Sequence, residues 1–200
     1  MNIAIFASGR GTNFEALVKA QRKGVFKADI KILITDNKSA YVRKRARRLG
    51  IKEEVVEFEK FKDRKSFEKE ILKILKREKI DLILLAGFMR ILSPYFVKKY
   101  KNRILNIHPA LLPSFKGTQA IKRAFKYGVK VTGVTVHFVN EKVDSGPIIL
   151  QEPVKITQKD TLESLERKIH RVEHKLYPKA VKLFVEGKLK IKGRRVKIAE

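Results

Sequence analysis

Short apolar runs alternating with segments of helical period set the frame of this chain. Residues 2–7 are almost continuously apolar, the pattern of a strand buried on both faces. Residues 29–35, 55–58 and 81–85 repeat it, and Arg103-Ile104-Leu105 reads as a further short strand running out into Asn106-Ile107-His108-Pro109. Between these runs the period changes. Phe14, Leu17 and Val18 open one helix, residues 39–49 form a second closed by Gly50, and residues 63–79 place Phe67, Ile71, Ile74 and Leu75 on one face with charges on the other. Strands alternating with helices predict right-handed crossovers, hence an α/β, Rossmann-like fold with a mostly parallel central sheet and helices on both faces. After a helix at 118–127, residues 129–139 alternate and are rich in Val and Thr. With 147–154, beyond a turn at 140–146, they predict an antiparallel extension. A long helix follows from 161 to 185, entered through Asp160 as cap with Glu163 as its third-position partner, and Pro178 is expected to kink it. Residues 189–191 and 196–198 around Gly193 read as a small basic hairpin.

A chain of 200 residues with no low-complexity break is expected to form a single domain. The absence of cysteine excludes disulfides, thiolate metal sites and cysteine nucleophiles. Residues 1–6 lack the features of a signal peptide and no apolar run reaches membrane-spanning length, so a cytoplasmic protein with no membrane partner is expected. Lys and Arg number 47 against 21 Asp and Glu, a formal charge of +26. Such an excess favours anionic partners. The clusters at 43–48 and 188–197 are not interleaved with aromatic residues for base stacking, so nucleic-acid binding is expected to be at most non-specific. Abundant Lys and scarce amides give the composition a thermophilic cast.

Candidate chemistry gathers where strands end. Ligands of parallel α/β sheets bind beyond the carboxyl ends of the strands, which points at the loops 8–13, 86–92 and 108–117. Ser8-Gly9-Arg10-Gly11-Thr12-Asn13 is a glycine loop before a helix. It reads either as a site for one phosphate monoester or as a tight turn, since Phe14 stands where a dinucleotide fingerprint needs its third glycine. Ala86-Gly87-Phe88-Met89-Arg90-Ile91-Leu92 is too apolar for an ordinary surface loop; it is either packed under another segment or lines a pocket for a flat ring. Asn106 and His108, two apart on a strand, project from one face: an amide donor beside a titratable imidazole, suited to a developing oxyanion and a proton. Asp144, in the turn before Ser145 and Gly146, is either a turn cap or the carboxylate that keeps His108 charged and raises its pKa. His170-Arg171-Val172-Glu173-His174 has the form of a metal helix, but only Glu186 and Glu200 follow as possible further ligands, so no metal is expected.

With these pieces placed, the chain resembles the phosphoribosylglycinamide (glycinamide ribonucleotide) formyltransferases, the folate-dependent family of purine synthesis, over nearly its whole length. The resemblance is carried by residues 8–13, 86–90, 106–109 with 112–117, and Asp144-Ser145-Gly146-Pro147, in the family's order. It implies the formyltransferase fold, with a phosphate-binding half at 1–100 and a folate-binding and catalytic half at 101–200. It implies transfer of the formyl group of 10-formyltetrahydrofolate, a co-substrate, to the amino group of glycinamide ribonucleotide, without metal, by a monomer or homodimer. Asn106, His108 and Asp144 match the catalytic trio. Gly11, Thr12 and Asn13 are implied to hold the substrate phosphate, Glu173 its ribose end with His170 beside it, and Pro109 and Gly117 to line the same substrate site. The folate pocket maps to Met89, Arg90, Ile91 and Leu92, to Asn106, and to Asn140, Glu141, Lys142, Val143 and Asp144, with Arg64 near the glutamate tail.

Two related activities share the Asn, His, Asp arrangement. Methionyl-tRNA formyltransferases carry an added C-terminal domain and formyltetrahydrofolate deformylases an N-terminal one. A first strand at the start of the chain and a short tail after the last helix make both the less expected reading.

Overall fold

The computed structural model describes residues 1–199 and divides into two compact units, residues 1–105 and 106–200. In the first unit, strands β1 (Asn2–Phe6), β2 (Asp29–Thr35), β3 (Lys52–Val55) and β4 (Leu82–Leu85) lie in the order β3-β2-β1-β4, all parallel, with Ile3 opposite both Ile30 and Leu82. Ile3, Ala4, Ile5 and Phe6 are fully buried although successive side chains point to opposite faces. Both faces of β1 are therefore covered, which is what its unbroken apolar run demanded. The cover comes from α1 (Thr12–Arg22), α2 (Val42–Arg48), α3 (Arg64–Arg77) and α4 (Pro94–Lys99), with Phe14, Leu17, Val18, Ile71 and Leu75 buried. Two helices start as local chemistry requires. Asp63 accepts from Ser66 N at 2.7 Å to cap α3, and Ser93 accepts from Phe96 N at 3.2 Å to cap α4, with Pro94 at its first position.

The second unit begins inside β5 (Ile104–His108). Its strands run in the order β5-β6-β7-β9-β8. β6 (Val131–Phe138) and β7 (Ile148–Lys155) pair antiparallel, and β8 (Leu189–Lys192) and β9 (Arg195–Ile198) form the terminal hairpin. Helix α5 (Ala120–Tyr127) precedes β6, and α6 (Leu162–Val185) buries Leu165, Ile169, Tyr177, Ala180 and Val181. A register shift between Val136 and His137 bulges β6, so that Val136 faces Leu150 but His137 faces Ile148.

Several sequence expectations need correction. The third strand lies at Lys52–Val55 rather than 55–58, because Phe58–Lys60 closes into a 3-10 turn instead. Helix α4 was not expected at all: at six residues it is too short to show a period. The strand expected at 103–105 continues through His108. The cap of α6 is Thr161, not Asp160. Thr161 and Ser164 form a reciprocal capping box, while Asp160 accepts from Thr157 N at 2.8 Å and Ser164 Oγ at 2.7 Å. Helix α6 is assigned as one element through Pro178.

Candidate active site

The site grows from the end of β5. Asn106 and His108 share a face of that strand, Asn106 half-buried and His108 4% exposed. The turn between β6 and β7 brings the third group. Asp144 Oδ2 lies 3.4 Å from His108 Nδ1, and Asn106 Nδ2 donates to Asp144 Oδ1 at 3.4 Å. The residue holds φ +46, a backbone more often taken by glycine or asparagine, so the turn is shaped to aim this carboxylate. Gly146 makes that turn possible: a Cβ there would stand 1.7 Å from the Phe138 carbonyl oxygen, where no side chain fits. Gly117 N donates to Asp144 Oδ2 at 2.7 Å, so the loop after β5 fixes the acid from the other side.

One further side chain of this cluster escaped the sequence reading. His137, 2% exposed, places Nε2 3.2 Å from Asn106 Nδ2 and 3.7 Å from Asp144 Oδ1. Its Nδ1 faces the Phe138 carbonyl at 2.8 Å. That carbonyl can only accept, so the ring proton sits on Nδ1 and Nε2 accepts from the Asn106 amide. The bulge in β6 is what re-aims the ring. The available signal was a histidine inside a run of Val and Thr, which as sequence is indistinguishable from an ordinary strand residue.

Electrostatics decide the charge that the sequence left open. Of the two readings of Asp144, the carboxylate that favours a charged His108 is the one whose direction is seen, but the pKa of His108 is lowered overall. Burial is the larger influence, and Asp144 and the Phe115 carbonyl, which both favour the imidazolium, do not overcome it. Asp144 shows the opposite balance. Burial pushes its carboxyl up, but the hydrogen bond donated by the Gly117 amide helps to hold it below the ordinary carboxylate range. The resting pair is a neutral imidazole beside a carboxylate. His108 Nε2 lies 2.9 Å from the Phe115 carbonyl oxygen, which requires the proton on Nε2.

The other expected residues fall in both units. In the second, His170 Nδ1 and Glu173 Oε2 are 2.8 Å apart on α6, with Glu173 4% exposed. His174 stacks on His170 at 6.4 Å. Among the described residues no group of three His, Cys, Asp or Glu side chains is arranged to hold a metal ion. Asn140 braces its own loop, with Nδ2 donating to Ser145 O at 3.2 Å and Oδ1 accepting from Lys142 N at 3.1 Å; Glu141 and Val143 are exposed and Pro109 half-buried.

In the first unit, Gly11 at φ +72 opens α1 with no side-chain cap, and a helix start of this kind, with its positive dipole end, suits an anion. A Cβ on Gly11 would come within 2.3 Å of the Val42 side chain, so α2 and the loop fit only around glycine. Met89 and Ile91 are exposed at 64% and 57%, unusual for apolar residues, while Leu92 is buried. Arg90 is not a free cation: Nε donates to Asp36 at 2.8 Å, a second nitrogen to Glu59 at 2.8 Å, and its guanidinium lies over the Phe58 ring. Arg64 is the exposed first residue of α3. The residues expected to hold folate thus divide between the two units.

Comparison with known proteins agrees with this geometry. A formyl transferase family model matches residues 1–181. A phosphoribosylglycinamide formyltransferase of Bacillus subtilis is 42% identical over 179 residues, covering 90% of this chain and 92% of that protein. A trifunctional purine biosynthetic protein of Gallus gallus is 41% identical over 191 residues, 96% of this chain; the chain spans 19% of that longer relative's length. Among solved structures, a glycinamide ribonucleotide transformylase of Symbiobacterium toebii superposes with a TM-score of 0.97 at 42% identity, covering 100% of this chain and 94% of that one.

Proposed function

Since the chain belongs to the formyl transferase family, we propose that it moves the formyl group of 10-formyltetrahydrofolate to the amino group of glycinamide ribonucleotide, giving the N-formyl product and tetrahydrofolate in purine synthesis. The observation that carries the assignment is the convergence of Asn106, His108 and Asp144 within 3.4 Å of one another through the pairs His108–Asp144 and Asn106–Asp144.

The substrate amine attacks the formyl carbon, and charge develops on the formyl oxygen. Asn106 Nδ2 meets that oxygen; a donor of this kind is typically worth ~3 kcal/mol in the transition state. Both Asn106 amide hydrogens are engaged, by His137 and by Asp144. Substrate therefore displaces one of these contacts, the longer one to Asp144. His108 enters neutral, accepts the excess proton of the attacking nitrogen, and becomes an imidazolium that Asp144 stabilises and that serves as a second, charged donor. It then delivers the proton to N10 as the carbon–N10 bond breaks, so protons balance without any other acid. His137 is a positioning residue that fixes the orientation of the Asn106 amide. Gly11, Thr12 and Asn13 take the phosphate of the ribonucleotide; Glu173, with His170, takes the ribose; and Met89–Leu92 and residues 140–144 take the folate.

The deciding assay supplies glycinamide ribonucleotide and 10-formyltetrahydrofolate with a metal chelator present throughout. Formylated ribonucleotide is the expected product. Formate released equally well without the amine acceptor would instead mark a hydrolase and overturn the proposal.

A further inference from the structure

A concavity of about 720 Å³ in the second unit plays no part in the chemistry above; Ser114, Phe115, Arg123, Lys126, Tyr127 and Val129 line it. Its volume is that of an ordinary small-molecule site. Its wall combines aromatic rings with cations. The Phe115 and Tyr127 rings meet edge to face at 6.0 Å, and the Arg123 guanidinium lies 6.0 Å from the Phe115 centroid. Tyr127 is 80% exposed, an aromatic face left bare to solvent. Among the described residues no carboxylate lines the concavity. On the basic helix α2, by contrast, Glu53 pairs with Arg43 and Arg47, and Glu15 with Arg45 and Arg48. Cations without a carboxylate partner beside the open Tyr127 face suit a flat ring that carries phosphate.

Phe115 also faces the catalytic group. Its side chain forms the wall, while its carbonyl oxygen accepts from His108 Nε2 at 2.9 Å. It does so at φ +51, a left-handed backbone that a phenylalanine keeps only where its surroundings enforce it. We propose that this concavity is an inhibitory site for a flat aromatic anion of the nucleoside monophosphate class, its base on Tyr127 and Phe115 and its phosphate on Arg123 and Lys126. A ligand shifts an equilibrium only toward the conformation it binds. The structure shows the concavity formed while the Phe115 carbonyl occupies His108 Nε2–H. Occupancy therefore withholds that hydrogen from the formyl oxygen and slows transfer without competing for the substrate site. The inhibitory half rests on the proposed role of His108; the binding half does not.

The test is calorimetric titration of adenosine 5′-monophosphate into the full chain saturated with glycinamide ribonucleotide and lacking folate, beside separate titrations with inorganic phosphate and with adenosine. The nucleotide is expected to bind, with each fragment at least about tenfold weaker, and Tyr127→Ala or Lys126→Gln to weaken it about tenfold while leaving basal turnover unchanged. In steady state it should inhibit non-competitively against the ribonucleotide. Absence of binding, displacement by the ribonucleotide, or affinity unchanged in Tyr127→Ala would overturn the site. Binding that Tyr127→Ala abolishes but that leaves wild-type turnover unaltered would overturn the link to His108. Failure of formyl transfer itself would appear in the uninhibited assay.

Discussion

His108 is set by two neighbours that oppose its burial and fail to outweigh it. The consequence is visible in pH. Because the folded-state pKa is depressed, the imidazole is neutral and able to take a proton at neutral pH, and activity should fall as pH drops below the ordinary histidine range. Asp144 favours the imidazolium, so Asp144→Asn removes the main influence raising His108. The acid limb of kcat against pH should then move to lower pH while the plateau falls, because the charged intermediate loses its partner; a limb moving upward would contradict this balance. The same depression bears on stability. An unfolded chain binds the His108 proton more readily than the folded one, so this group costs stability progressively as pH falls from about 6.5 toward the folded pKa. Asn106→Ala and His108→Ala should each lower kcat by roughly 100-fold or more with the far-ultraviolet circular dichroism unchanged, as expected for donors and proton carriers rather than packing groups.

Elements are held in place by fits that tolerate little change. Helix α1 starts at a glycine against which Val42 of α2 is packed, and the same loop receives a hydrogen bond from Val42 N to Gly9 O at 3.0 Å. Gly11→Ala must push α2 away and strain a positive φ, so the Michaelis constant for the ribonucleotide should rise at least about tenfold and the melting temperature should drop, both readable in one purified variant. At the other helix start, Asp160 gathers Thr157 N, both hydroxyls and Lys168, and its pKa is strongly lowered, the Lys168 contact being the largest cause. A carboxylate with a depressed folded pKa stabilises above its unfolded pKa of about 3.9 and loses that contribution as pH falls below it. Asp160→Asn should therefore narrow the stability difference between pH 7 and pH 3 in thermal melts. Helix α6 itself should persist, since Thr161 and Ser164 cap it.

At the scale of the whole molecule the net charge of +26 is the dominant feature. Carboxylates are so scarce that single ones are shared: Glu15 pairs with Lys19, Arg45 and Arg48 at once. Unpaired positive charge remains, and it suits the two anionic substrates proposed above. Accordingly kcat/KM should fall steeply between about 0.05 and 0.5 M salt while kcat changes little, because long-range attraction is screened whereas the buried trio is not. A kcat that falls as steeply as kcat/KM would place the salt effect inside the reaction itself. Among the described residues no helix is long and apolar enough to cross a membrane.

What the residues alone determined was the alternation of strands and helices, the covered β1, the antiparallel addition, and the candidate trio. Each is written in a local period or a short motif, since a strand buried on both faces must be apolar throughout and a strand places residues two apart on one side. What only the tertiary structure decided was how those groups act. The bulge that turns His137 onto Asn106, the Phe115 carbonyl that claims His108 Nε2, and the burial that leaves His108 neutral all depend on segments distant in sequence. Burial and long-range pairing have no local period, and so a pKa or a hydrogen-bond partner becomes definite only when the chain has packed.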